Sequence, residues 1–216
     1  MASNSSDNPA PAHGDDALRK DSINAEAFRA LYSEAPAWEI GRPQQVVVEL
    51  AMAGGFRGEV LDAGCGTGEN AIFLASLGHS VFGIDFLPGP VEAARQKAAQ
   101  RNLAVEFLAH DALRINELGR QFDTVLDCGM FHVFSDADRA KYIRSLSESM
   151  RNGARLHMIC FSESEAREGG PRRVRREEIA SAFADGWKVI EIRPVRFEAT
   201  TYPGGAQAWL ATIERV

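Results

Sequence analysis

The chain has 216 residues, enough for one domain with a sizeable core, and its 45% apolar and 25% charged content is that of a soluble globular protein. A net charge of −6 argues against a broad nucleic-acid footprint. No apolar run reaches 18 residues and no charged-then-apolar start reads as a signal peptide, which argues against a membrane partner and for a cytoplasmic protein.

Residues 1–20 carry almost no large apolar side chain and read as a disordered tail, leaving residues 21–216 as a single domain. Ile23, Ala27, Phe28, Leu31 and Tyr32 recur at helical spacing, so a helix is expected over 23–32, capped by Asp21 or Ser22. Two prolines and a glycine make 35–44 a loop, followed by a helix over 45–53. Trp38 in that loop must place a large ring; it either plugs the core edge or, with Arg42, roofs a ligand. Val60 and Leu61 read as a buried strand, and Gly64, Gly66 and Gly68 turn the chain into a helix over 70–77. A dinucleotide fingerprint would need glycine where Glu69 stands, so the turn is rounder and has no pyrophosphate to hold.

A second strand is expected over 80–85. It ends in Asp85, which can bind ligand hydroxyls or cap the next helix, though Pro88 and Pro90 intervene. A helix over 91–101 and a strand over 104–108 lead to His110, Asp111 and Ala112. The strand over 122–127 opens into an apolar turn, Met130 to Phe134, around His132, at the edge where ligands of open α/β sheets bind. A helix over 138–150, ended by Asn152 and Gly153, a strand over 155–161, a mobile loop over 162–175 and a helix over 176–184 follow. Strands over 187–197 and 207–213, joined at 201–205, make an antiparallel hairpin. The arginines at 172–176 read as solvated charges, although Arg172 and Arg173 could grip an acidic acceptor oxygen. Cys65, Cys128 and Cys160 show neither disulfide nor metal spacing and read as buried thiols in a reducing compartment.

The glycine turn, the acid closing the second strand and the acidic loop after the third strand together resemble the motifs of the class I S-adenosylmethionine-dependent methyltransferases. The segment Trp38-Glu39-Ile40-Gly41-Arg42-Pro43-Gln44 is similar to the N-terminal segment of the thiopurine and thiol methyltransferase group. The stretch from Asp127 to Asp136 resembles bacterial members that methylate N-hydroxy or phenolic heterocycles, including quinolone-like toxins. The resemblance covers about residues 36–213. It implies an α/β fold, a Rossmann-like three-layer sandwich whose seven-stranded, mainly parallel sheet ends in an antiparallel hairpin. It implies S-adenosyl-L-methionine as cofactor, S-adenosyl-L-homocysteine as product, and no metal. Cofactor contacts are then expected from Trp38, Arg42, Asp62, Gly64, Cys65, Gly66, Gly68, Asn70, Asp85, Phe86, Asp111, Ala112, Asp127 and Cys128. Within that set, Asp85 would take the ribose hydroxyls, Phe86 would flank the adenine, and Asp111 would accept from the adenine amine. Acceptor contacts are expected from Trp38, Phe131, His132, Phe134, Phe161, Arg172 and Arg173. His132 is either the general base or acceptor hydrogen bonder, or a histidine satisfied by the backbone of its own loop. The expected partner is a small aromatic or heterocyclic molecule, and the expected state a monomer or weak homodimer. Thiol, thiopurine, halide or metalloid methylation, methylation of a macromolecule, and a non-catalytic cofactor-binding protein are the alternatives.

Overall fold

The computed structural model describes residues 25–32 and 35–216; the tail over 1–20 and the caps at Asp21 and Ser22 lie outside the described residues. In chain order the elements are α1 (Ala25–Tyr32), α2 (Gln45–Met52), β1 (Glu59–Ala63), α3 (Glu69–Ser76), β2 (Ser80–Asp85), α4 (Pro88–Gln100), β3 (Glu106–Ala109), β4 (Phe122–Cys128), α5 (Asp136–Ser149), β5 (Met150–Phe161), α6 (Arg176–Ala182), β6 (Trp187–Ala199) and β7 (Tyr202–Arg215). Short 3-10 turns occupy Ala112–Leu118 and Phe131–Val133.

The strands form one sheet in the order β3-β2-β1-β4-β5-β7-β6. The first five run parallel, and β7 pairs antiparallel with both β5 and β6. Strand side chains alternate between faces, and Val60 and Leu61 accordingly enter two different cores. One core packs Leu61, Phe122, Tyr142, Leu146 and Leu156 beneath α5 and α6. The other packs Val47, Val60, Ile72, Leu74 and Phe107 beneath α2, α3 and α4. Covering both faces is what lets the parallel strands read as continuous apolar runs. Each such side chain contributes about 1.5–3 kcal/mol when fully buried.

Several expected boundaries move; β7 already starts at Tyr202, so the hairpin turns just after Ala199 and not over 201–205. α4 starts at Pro88, because proline needs no N–H in a first helical turn. α5 starts at Asp136, capped by the Ser135 hydroxyl, which accepts from the Asp138 N–H at 3.2 Å. It yields to β5 already at Met150, so Asn152 and Gly153 lie within the strand rather than ending the helix. The loop over 162–175, expected to be mobile, is hydrogen-bonded within itself and to β7.

Candidate active site

β1, β2, β4 and β5 all end on one edge of the sheet, and a cavity of about 610 Å³ opens there. Its first wall is the turn after β1. Gly64, Gly66 and Gly68 have φ of 72°, 54° and 86°, the left-handed region that glycine enters without a Cβ penalty. The three glycines serve different ends. A Cβ at Gly64 would collide with the Met130 side chain, and one at Gly68 would stand 2.8 Å from the Ala94 Cβ. At Gly66 only the Glu39 carboxylate and the Tyr32 hydroxyl come near, both at 3.1 Å, so its bare backbone faces the cavity and not the core.

Asp85 fixes this turn. One carboxylate oxygen accepts from the Gly66 N–H at 3.1 Å and the other from the Leu87 N–H at 2.9 Å. A carboxylate offers about four acceptor sites, so capacity remains for a ligand hydroxyl. Burial raises the Asp85 pKa, and the backbone N–H groups of Leu87, Gly66 and Phe86 oppose that rise. Farther along the edge, Asp111 caps a 3-10 turn by accepting from the Leu113 N–H at 2.9 Å; with His110, Ala112 and Phe86 it lines the same wall.

The segment over 35–44 forms a roof. Gln44 is the bolt: its amide donates to the Glu198 carbonyl and accepts the Glu198 N–H, both at 2.8 Å. The Gln44 N–H donates to Asn70 Oδ1 at 3.0 Å. Arg42 pairs end-on with the Glu198 carboxylate, Nη1 and Nη2 donating at 2.9 and 2.8 Å, while lining the cavity rim. Trp38 donates through its indole N–H to the Tyr32 hydroxyl at 3.2 Å, their rings edge to face at 5.9 Å. Glu39 accepts from both the N–H and the hydroxyl of Thr67, tying roof to turn.

At the opposite end, Asp127 Oδ1 accepts from the Met130 and Phe131 N–H groups at 2.8 and 3.3 Å, which curls the chain after β4. His132 thereby enters the cavity wall, where its Nδ1 accepts the Phe161 N–H at 2.9 Å. Burial, reinforced by the Arg139 and Arg173 charges, pulls its pKa down to about 3. The expected alternatives are thus separated: the imidazole is neutral and backbone-held, by the Phe161 N–H of β5 and by the backbone of Gly129 in its own loop. Its Nδ1 lone pair is not free to take a proton.

Cys65, Asn70 and Cys128 line the cavity, with Trp38, Phe134 and Phe161. Other expected contacts stand elsewhere. Phe131 is fully buried, packed on Phe183 at 5.9 Å under the Arg139 guanidinium, and belongs to the core. Arg172 is buried and paired with Asp136 and Glu178, both at 2.6 Å, so no acceptor reaches it. Arg173 spends its donors on backbone carbonyls. Asp62 and Asp127 lie beneath the wall, their pKa values pushed up to about 7 and about 6 chiefly by burial. Among the described residues neither Asp62 oxygen finds a partner of good geometry, though the Ala71 N–H partly offsets its burial.

Sequence reasoning missed Tyr32, Glu39, Thr67, Met130, Phe197, Tyr202 and the Gly170-Pro171 pair, all of which line the cavity. Tyr32 and Glu39 flank Trp38 closely enough to have been found with it. Phe197 and Tyr202 reach the site only because β7 returns antiparallel beside β5. A second groove of about 710 Å³, between α2 and the β6–β7 hairpin, contains none of the glycine-turn residues. No cluster of three or more metal-ligating side chains occurs among the described residues.

A family model described as "Methyltransferase domain" matches residues 60–153. A 2-heptyl-1-hydroxyquinolin-4(1H)-one methyltransferase of Mycobacteroides abscessus is 32% identical over 192 residues, 86% of this chain and 84% of that protein. A probable thiol methyltransferase 2 of Arabidopsis thaliana is 29% identical over 140 residues, 63% of this chain and 61% of its own length. A solved structure described as "Conversion of a Disulfide Bond into a Thioacetal Group during Echinomycin Biosynthesis" superposes with a TM-score of 0.80 at 33% identity, covering 89% of this chain and 93% of that one.

Proposed function

The chain belongs to the class I S-adenosylmethionine-dependent methyltransferases, and on that premise we propose that it methylates O, N or S of a small aromatic or heterocyclic molecule, a hydroxyquinolone- or phenol-like ring foremost. One observation carries this reading: the cavity joins a bare-backbone turn and a carboxylate at one end to a box of rings at the other. Trp38, Phe134, Phe161, Phe197 and Tyr202 make that box. The 32%-identical hydroxyquinolone methyltransferase supports the acceptor class.

The residues present fit the cofactor. Asp85 has lone pairs left for a diol, Gly66 leaves room for a backbone approach, and Phe86, Asp111 and Ala112 offer a ring site with a carboxylate at its edge. Bound S-adenosylmethionine supplies an electrophilic methyl on a sulfonium. The chain's part is to hold the acceptor in line and keep water out, which is worth about 7–11 kcal/mol of barrier when the geometry is near attack. The face of Trp38 toward the sulfonium would add about 0.5–2 kcal/mol. His132 supports the wall without accepting a proton, so the acceptor arrives ionised or loses its proton to solvent. The Arg139 charge, which adds to burial in keeping His132 neutral, also favours an anionic acceptor at that end.

Both termini of the reaction are small molecules on this reading; nucleic acid and membrane play no part, and the enzyme works in the cytoplasm as a monomer or weak homodimer. Three unbridged cysteines suit that compartment. No described helix is long and apolar enough to cross a membrane. A thiol acceptor is the second reading, favoured by the Arabidopsis relative.

The test is incubation with methyl-labelled S-adenosylmethionine and a panel of hydroxyquinolines, phenols, thiols and purines. Label is expected in the hydroxylated heterocycles. Label in thiols alone would reverse the order of the two readings, and label in none would leave a cofactor-binding protein without transferase activity.

A further inference from the structure

The chain leaves the sheet after β5 and returns beside its own exit. The Val174 N–H donates to the Phe161 carbonyl at 2.9 Å and the Glu163 N–H to the Val174 carbonyl at 3.2 Å, so residues 163–173 form a loop closed at the neck. A loop of this kind is too short for a core of its own, and its backbone carbonyls need partners. Arg173 supplies them. Its Nε–H donates to the Glu165 carbonyl at 3.2 Å, Nη1 donates to the Gly169 and Pro171 carbonyls at 2.8 and 2.6 Å, and Nη2 donates to the Arg167 carbonyl. Only a planar fork of five donors can serve four convergent carbonyls; a lysine has three donors on one atom. No carboxylate among the described residues pairs with Arg173.

Glu165 moors the same loop to β7. Buried, it accepts the Gln207 N–H at 2.7 Å and the Arg167 N–H at 3.0 Å. The product of this arrangement is a piece of cavity wall. Gly170 and Pro171 face the cavity beside Phe161 and Tyr202, and a Cβ at Gly170 would stand 3.0 Å from the Tyr202 hydroxyl.

We propose that Arg173 is a specificity-determining positioning residue: by gathering the loop's carbonyls it sets how far Gly170 and Pro171 intrude, and so how bulky an acceptor the enzyme takes. The proposal rests on the reading of this end of the cavity as the acceptor site. It assigns Arg173 no contact with the acceptor and no effect on the cofactor end, where Asp85 and Gly66 stand.

The experiment compares wild type with Arg173→Ala and Arg173→Lys. It reads cofactor affinity by calorimetry, Tm as a check on folding, and kcat/KM for two acceptors, a bare hydroxyquinoline and one carrying a bulky ring substituent. Cofactor affinity is expected to stay within about twofold. The value of kcat/KM for the compact acceptor is expected to fall about 10- to 100-fold, mainly through KM. The preference for the compact over the bulky acceptor shrinks or reverses. Lysine keeps the charge and loses the fork, so it should behave like alanine; if the alanine variant does not fold, the lysine variant decides. A folded variant with the wild-type acceptor ratio overturns the proposal. Absence of turnover by wild type with any acceptor overturns instead the acceptor-site reading beneath it.

Discussion

At the β1–β2 end of the cavity the groups that face a ligand are backbone N–H groups and carboxylates, each fixed by hydrogen bonds such as those of Asp85 to Gly66 and Leu87. At the β4–β5 end they are rings, fixed by packing: His132 edge-on to Phe161 at 5.1 Å, and Phe161 against both Phe197 and Tyr202 at 5.5 and 5.6 Å. The first construction demands particular residue types at particular spacings, because a donor or a bare backbone has few substitutes. The second demands only that rings fill a volume, and the rings can come from anywhere in the chain. One end is therefore built to hold a single ligand with high fidelity, and the other can be retuned by changing a wall.

The sharpest way to break this contrast is at Asp85. Asp85→Ala removes a carboxylate that holds the turn and, on our reading, both ribose hydroxyls. With charge-assisted bonds worth about 1.5–3 kcal/mol each, cofactor affinity is expected to fall by at least about 100-fold in a calorimetric titration. Wild-type affinity would remove Asp85 from the site. Next in size is Gly68→Ala, which forces a side chain to φ 86° and against Ala94 and Phe107. Backbone strain of about 1–2 kcal/mol and overpacking of about 1–3 kcal/mol should lower Tm by several degrees. An unshifted melting curve would show that the turn has slack. Trp38→Ala is expected to cost about 0.5–2 kcal/mol in kcat/KM, with Trp38→Phe recovering part of it; equal rates for all three would move the roof away from the sulfonium.

The last test is by pH. His132 is held neutral down to about 3 against an ordinary 6.5. Between those values the unfolded chain binds a proton that the folded protein refuses, so His132 makes stability fall as pH drops from 6.5 toward 3. Asp62 and Asp127, raised to about 7 and about 6 from an ordinary 3.8, act oppositely: their contribution is present below 3.8 and is lost as pH rises through 6 and 7. His132→Gln should flatten the acid limb of a Tm–pH curve and leave the shape of the pH–rate profile unchanged. A rate profile whose inflection disappears in that variant would restore His132 as a base.

This contrast also explains what could be read in advance. The glycine spacing, Asp85 and the Asp111 loop are local and chemically constrained, so the expected cofactor contacts can be named from short stretches of chain, whereas the seven-stranded sheet with its antiparallel hairpin comes from the family resemblance those stretches carry. Phe131 and His132 show the limit: adjacent in one apolar turn, one points into the core and the other into the cavity, and nothing in the local sequence distinguishes them. Arg172 and Arg173 look alike as neighbouring charges, yet one is buried between two carboxylates and the other is wrapped by its own loop. Phe197 and Tyr202 become site residues only through long-range pairing of β7 with β5 and β6.

The most direct measurement is calorimetric titration of S-adenosylmethionine and, separately, of a nicotinamide dinucleotide into the wild-type protein. Saturable uptake of one equivalent of the sulfonium compound and none of the dinucleotide is the result expected of this turn. Uptake of the dinucleotide, or of neither, would contradict it.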